Sequence, residues 1–563
     1  MRRALKFAAA SLCLIGLIHA DAWAADDAEL ERIRQAVAEA IEPSPDATGP
    51  TVALAAPVGA AWRDGWAVIS LKGAKLIDPE GSSLVVGDVE IAVLPRGDGF
   101  YDFEVTMPKG FDAFTAEGLP EGKLTIGSYK LAGTWAREVG SLSNLDASFS
   151  GLEATDLQPG EDDFNAKLAS LEARLNYTKG SGGLWSGTGN ARLADLRIVA
   201  EGGSDDVAIA AIEIKSATTG WDWATWQRAM NKLEALAEPG ATTPSEEERR
   251  ALAQEIRTIN WGVNDATLTI NGLSVSSERK PVFTLGSSTW KLGLDGSKEA
   301  GPLSFRIAVG DLSVAENTLP TNLAPTKGAL DITFDQFPVR AFFGSMLEQA
   351  LDEMMAPPPG SSVPAVESEP MDGAGVPPTD VPAETPVEGA SPAGDMAMTE
   401  AAPSEDEAEA MPPEGGPESE MEPPPSETQE PPMMGPFPAD DLFLQQLFAL
   451  GTVFALNEFS VDAPGTGVNA SGRVKVDPEA MGMGTGKLKA TIRGIDAVLA
   501  YVNAEAKTDE EMKDVGAFLI FLKGLGRAES GAGGETAYVY DIDVPKDGAP
   551  TVNGTPIDGL MGE

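Results

Sequence analysis

The chain of 563 residues is predicted to be mainly β with helical insertions. The expected α+β fold is one large antiparallel sheet of repeated long strands, interrupted by an acidic, Pro-rich disordered loop. Three observations carry this. From Thr51 onward apolar and polar residues alternate with the period of a strand that buries one face. A single pattern recurs along the chain: apolar, any, apolar, any two, apolar, any, apolar. Residues 357–436 are built of Pro, Glu, Ser, Ala, Gly and Met, with no aromatic residue, Lys or Arg. Such a segment cannot bury enough apolar surface to offset an ordering entropy of about 1–2 kcal/mol per residue.

Met1 to Ala24 reads as a secretory signal. Arg2, Arg3 and Lys6 precede a short apolar core from Ala8 to Ile18, and Ala22-Trp23-Ala24 offers small residues for cleavage. The expected address is the periplasm, with cleavage after about Ala24. Cys13 lies mid-core, which speaks against a lipoprotein. No run approaches the ~20 apolar residues that spanning a bilayer needs. Asp26 to Ile41 then has Leu30, Ile33, Val37 and Ile41 at helical spacing, ended by Pro43 and Pro45.

The recurring pattern appears as Ile69, Leu71, Ala74, Leu76; as Leu124, Ile126, Tyr129, Leu131; and as Ala147, Phe149, Leu152, Ala154. Ala191, Leu193, Leu196, Ile198 follow, then Leu268, Ile270, Leu273, Val275 and Ile307, Val309, Leu312, Val314. Beyond the Pro-rich segment come Phe454, Leu456, Phe459, Val461 and Ala490, Ile492, Ile495, Ala497. The one-residue slip between the halves would turn the second half outward unless a bulge absorbs it. Glycine suits a bulge, and Gly151, Gly272, Gly310 and Gly494 stand at the midpoints. Many neighbouring copies lie about 35–55 residues apart, as repeated long strands or hairpins would.

Helices interrupt the strands. Trp223, Trp226, Met230, Leu233 and Ala237 line one face of Asp222–Glu238. Thr243-Pro244-Ser245-Glu246 has the form of a capping box opening a second helix to about Thr258. Together they form an αα-hairpin over about 222–258. Trp221, Trp223 and Trp226 suit core packing better than a ligand cage. Val339–Met355 and Ala439–Leu450 are apolar helices flanking the Pro-rich segment. Their best partners are each other, so the segment reads as an insertion between a β-rich region (25–356) and a C-terminal α+β region (437–563). A helix from about Asp509 to Lys523, capped by Thr508 with Glu511, is nearly apolar all round and is expected to be buried. The strand Tyr538–Val544 and an Asn553-Gly554 turn close the fold.

The run from Phe454 to Val474, Phe-Ala-Leu-Asn-Glu-Phe-Ser-Val-Asp-Ala-Pro-Gly-Thr-Gly-Val-Asn-Ala-Ser-Gly-Arg-Val, resembles the late part of YdgA-like periplasmic proteins. The ending from Asp547 through Asn553-Gly554 is similar to that group's final turn. More loosely, the repeated strands resemble AsmA-like envelope proteins, whose long sheets are associated with lipid handling. The resemblance covers about the last quarter of the chain and implies structural turns, with no catalytic residues to transfer.

Composition excludes much chemistry. The chain has one Cys and one His; these are Cys13 and His19, both within the signal. The remainder has no disulfide, thiol nucleophile, Cys/His zinc site or His-based triad. A net charge of −46 makes nucleic acid or an anionic membrane surface an unfavourable partner. Gly482-Met-Gly484-Thr-Gly486-Lys487 lacks the spacing of a phosphate loop and has Leu488 after the Lys. Ser277-Glu278-Arg279-Lys280 has Ser–Lys spacing but stands where two strands meet, off any helix. Asp205-Asp206 and Asp162-Asp163 lack the alternating acids of a calcium loop. No catalytic residue, cofactor or metal is therefore expected, and the chain is read as not an enzyme.

Two function classes remain. In the first, an exported envelope protein binds or shelters lipid or another apolar ligand on its sheet, with Phe149, Leu193, Ile270, Val309 and Leu456 on the binding face. In the second, those faces form a sealed core and the acidic arm recruits a partner, such as another envelope protein.

Overall fold

Alternation of apolar residues builds one antiparallel sheet whose strands follow one another almost in chain order. The computed structural model describes residues 27–41, 50–97, 99–156, 164–200, 206–237, 245–315, 320–355, 441–480, 484–507, 510–531 and 535–557. The expected signal, the Pro-rich segment, Asp162-Asp163, Asp205, Thr243, Pro244, Gly482 and Thr508 lie outside the described residues. The described residues belong to one compact unit, drawn from Met1–Met355 and Pro438–Glu563.

The N-terminal strands are β1 (Thr51–Ala53), β2 (Gly59–Arg63), β3 (Trp66–Ile77), β4 (Ser83–Gly97), β5 (Phe100–Thr106) and β6 (Gly110–Phe114). The long strands β7 (Pro120–Ala136), β8 (Ser141–Asp156), β9 (Phe164–Lys179), β10 (Trp185–Ala200) and β11 (Asp206–Trp221) come next. After a helical pair run β12 (Val263–Ser277), β13 (Lys280–Asp295), β14 (Gly301–Val314) and β15 (Lys327–Phe337). The last group is β16 (Val453–Ala463), β17 (Thr466–Val476), β18 (Gly484–Arg493), β19 (Arg527–Ser530), β20 (Thr536–Val544), β21 (Thr551–Val552) and β22 (Thr555–Pro556).

β1 and β2 both pair with β3, and β5 and β6 bridge β4 to β7. From β7 to β18 each strand pairs with the next, and β20 follows β18. The short β1, β2, β19, β21 and β22 border the ends of this array, so among the described residues no long strand edge is left facing water there.

The repeated pattern has a structural cause. In β7 to β14 one residue per strand drops out of the pairing at a common level: Gly127, Gly151, Ala169, Asp195, Ala210, Gly272, Gly286 and Asp311. Both partners omit a residue at the same place, so the register is kept on either side. In alternate strands this residue is left-handed, with φ of 59° at Gly151, 53° at Asp195, 61° at Gly272 and 54° at Asp311. The outcome is a seam across the sheet that returns the apolar residues to the same face. A one-against-two bulge of the expected kind occurs in β3, where Leu71 faces Val89, Ala74 faces Gly87 and Gly73 has φ 59°. At the β14 midpoint Asp311, not Gly310, takes the left-handed conformation.

Helix α1 (Asp27–Ile41) packs on β2 and β3, and its buried Ile33 and Val37 join one core cluster with Ile69, Leu71, Val93 and Phe103. Helices α2 (Trp223–Ala237) and α3 (Glu246–Thr258) make the αα-hairpin, and α4 (Val339–Met355) and α5 (Asp441–Leu450) pack beside them around Trp261, Phe337 and Phe443. Phe342 on α4 and Phe443 on α5 lie 5.6 Å apart between ring centroids. Arg257 of α3 pairs with Glu348 of α4 at 2.9 Å. Trp221 and Trp223 stack on each other at 5.1 Å, and Trp223 is buried with Trp185.

Three expectations need correction. The α3 cap is Ser245 with Glu248, two residues beyond the expected pair: the Ser245 hydroxyl accepts from Glu248 N while the Glu248 carboxylate accepts from Ser245 N. Ala490, Ile492, Ile495 and Ala497 are not one strand. β18 ends at Arg493, Gly494 turns left-handed at φ 66°, and Ile495 opens α6 (Ile495–Glu505). Finally, α7 (Glu511–Leu525) starts without a side-chain cap and is not buried. Val515, Phe518, Ile520 and Phe521 are exposed on it, Phe518 by 60%.

Candidate apolar binding face

Directly opposed residues of an antiparallel pair point to the same face, so the register defines rows across the sheet. Phe149 faces Leu171, which faces Leu193, then Ile212, Ile270, Ser288 and Val309. The row continues through Gly328, Val461, Val468 and Ile492 to Tyr538. Phe149, Leu193, Ile270 and Val309 thus stand on one row. Leu456 lies on the same face farther along the strands, opposite Ile332 and, through it, Phe305 and Leu292. These five residues sit side by side and do not converge around one closed cavity.

The two ends of the row are covered. Tyr129, Phe149 and Leu152 pack against the N-terminal core cluster, which also holds Ile33 and Val37 of α1. Ile492, Tyr538 and Tyr540 pack against Leu519 and Leu522 of α7. Between them the face meets solvent. Ile214 is 48% exposed, Trp290 42%, Leu292 51% and Phe459 37%, although all four alternate with polar neighbours in the manner of buried strand positions. Ile214, Leu268, Trp290, Ile307, Leu330 and Phe459 form a second apolar row beside the first. At about 4.8 Å between strands, the stretch from Leu193 on β10 to Val468 on β17 measures roughly 34 Å.

The opposite face is charged. Asp146 accepts from Lys130 at 2.5 Å and lies 3.5 Å from Arg174, and the Lys130 hydrogen bond, ahead of the neighbouring positive charges, holds its carboxyl below the usual range. Arg192 pairs with Glu213 at 3.5 Å and Arg306 with Asp331 at 3.4 Å. Such exposed pairs contribute little stability each, but they mark this face as the wetted one. The apolar face is thus exposed in spite of the pattern, while its reverse is built for water.

Polar chemistry on the apolar face is sparse. Trp290 Nε1 donates to Ser288 Oγ at 2.9 Å, which satisfies the indole N–H and the buried hydroxyl together. Among the described residues no group of three or more His, Cys, Asp or Glu is placed to hold a metal ion. The Ser277–Lys280 pair closes the β12–β13 hairpin, with Glu278 and Arg279 left-handed in the turn. Asp206 is engaged by Arg197 at 2.7 Å.

The sequence reading missed Ile214, Trp290, Leu292 and Phe459 as the open part of the face. Alternation is visible in Ile212-Glu213-Ile214 and Trp290-Lys291-Leu292, but it signals a face and not whether anything covers it. No family model matches the chain, and neither a curated protein nor a solved structure does. Among the described residues no helix is long and apolar enough to cross a membrane.

Proposed function

We propose that the chain is an exported envelope protein that holds extended apolar chains, of the lipid class, on the open face of β10 to β17. The observation that carries this reading is the exposure of Ile214, Trp290, Leu292 and Phe459 on the face that bears Leu193, Ile270 and Val309. Monomers seldom present contiguous apolar area beyond a few hundred Å², and larger patches mark binding surfaces. The length of the rows suits an extended chain better than a small compact ligand, and the near absence of polar groups suits a ligand recognised by apolar contact. The expected signal at Met1–Ala24 supports export, with the periplasm as the compartment.

The test is a titration of the purified protein with a fluorescent fatty acid. Saturable binding is expected, and Ile270→Asp should weaken it at least tenfold while the circular dichroism spectrum stays that of the parent. A sealed core behaves differently. There the Asp is buried without a partner and unfolds the protein, and the parent binds no probe. That pair of results would overturn the reading.

A further inference from the structure

Helix α7 presents an apolar surface to solvent that the sheet does not use. Its inward side, through Leu519, Leu522 and Leu525, packs on Tyr538 and Tyr540, and the Tyr540 hydroxyl donates to Leu522 O at 3.0 Å. Its outward side over the last two turns, at Ala517, Phe518, Ile520, Phe521 and Gly524, is exposed and carries no charge. Lys523 turns back to pair with Asp496 and lies 5.7 Å over the Tyr538 ring.

We infer that α7 docks on the surface of a lipid bilayer with uncharged, zwitterionic headgroups. The inference rests on the lipid-holding reading of the sheet. Tyr538 and Tyr540 end the two apolar rows that pass through Ile492 and Ala490 to Val461 and Phe459, so α7 sits where the apolar face stops. An apolar chain leaving a bilayer there reaches the rows with little passage through water. The helix has 15 residues, too few to span a bilayer, and with its inner apolar side held by the sheet the exposed apolar surface of its last two turns is free to lie in the interface. Charge selects among occupants. A chain of net charge −46 repels both a second copy of itself and an anionic lipid surface, whereas the uncharged arc of α7 meets an uncharged interface without penalty.

The test is flotation of the full chain with phosphatidylcholine vesicles. The parent should float, and Phe518→Asp/Phe521→Asp should lower the bound fraction at least tenfold with an unchanged circular dichroism spectrum. Phe518→Ser/Phe521→Ser, a milder pair, should lower it in the same direction. Flotation reads α7 and the fatty-acid titration reads the sheet. Flotation without fatty-acid binding would support α7 docking and reject the sheet reading alone. A parent that stays soluble at every vesicle concentration, or a double variant that floats equally well, would overturn the inference. So would a concentration-dependent dimer that the double variant dissolves, since α7 would then be covered by a second copy.

Discussion

Gly272 of β12 and Ala210 of β11 approach so closely that a Cβ on Gly272 would lie 2.8 Å from the Cβ of Ala210. Gly272 is also left-handed at φ 61°. Gly286 and Asp311 repeat the close approach two strands farther along the seam, at 2.6 Å. At Gly272 and Gly286 the seam therefore leaves no room for a side chain. Gly272→Ala is expected to destabilise the protein by about 1–3 kcal/mol in urea unfolding. Gly182→Ala, at φ 86° with open space around it, should cost less, since only the backbone term applies. Equal losses at the two positions would refute crowding at the seam.

Phe443 joins the chain after the Pro-rich segment to the chain before it. It is fully buried between Phe337 and Phe342, 5.9 Å and 5.6 Å away between ring centroids. Phe443→Ala should cost about 3–5 kcal/mol, the range for emptying a buried aromatic site. A loss under about 1 kcal/mol would mean that α5 is not held there in solution.

Asp88 carries a pH dependence. Its carboxylate accepts from Lys72 Nζ at 2.9 Å and from Gly73 N at 3.0 Å, locking the β3 bulge. The Lys72 hydrogen bond first, and the Gly73 N–H second, hold its carboxyl below the usual Asp value. A carboxyl lowered on folding adds stability that is present above the unfolded-state value and lost as pH falls through the folded one. The stability gap between the parent and Asp88→Asn should therefore be open at neutral pH and close on acidification below the ordinary Asp range. A gap that persists unchanged to pH 2 would contradict this.

The Pro-rich segment is expected to be dispensable for the fold. Replacing residues 357–436 by a short Gly/Ser loop leaves α4 and α5 with the same packing partners, and shortening a loop changes closure entropy only slowly, by about 0.6 kcal/mol per halving. One thermal transition close to the parent's is the expected result. A large drop, or two transitions in place of one, would show that the segment or its length matters to folding.

The strands were legible because the period of alternation is a local property: Ala191, Leu193, Leu196 and Ile198 state the apolar face and the slip together, within eight residues of β10. The Asn553-Gly554 turn was legible for a similar reason. Both residues are left-handed, as the two-residue turn between β21 and β22 requires. The α3 cap differs from the expected one because Thr242, Thr243 and Ser245 all precede the helix and only the hydrogen bonds choose among them. The α7 burial was misjudged because hydrophobicity states what a helix would gain by being covered, not whether a partner exists within the fold.

The sequence by itself determined the fold class, the slip that marks the seam in β7, β8, β10, β12 and β14, and the absence of His and Cys outside the first residues. These follow from local periodicity, backbone preference and composition. Only the tertiary structure decided that Phe149, Leu193, Ile270 and Val309 stand on one row while Leu456 stands apart, because that depends on how each strand registers with the next. It also decided that the N-terminal core closes one end of the face and α7 the other, with Trp290 and Leu292 left open between them. Coverage is a property of elements far apart in the chain, and no stretch of sequence contains it.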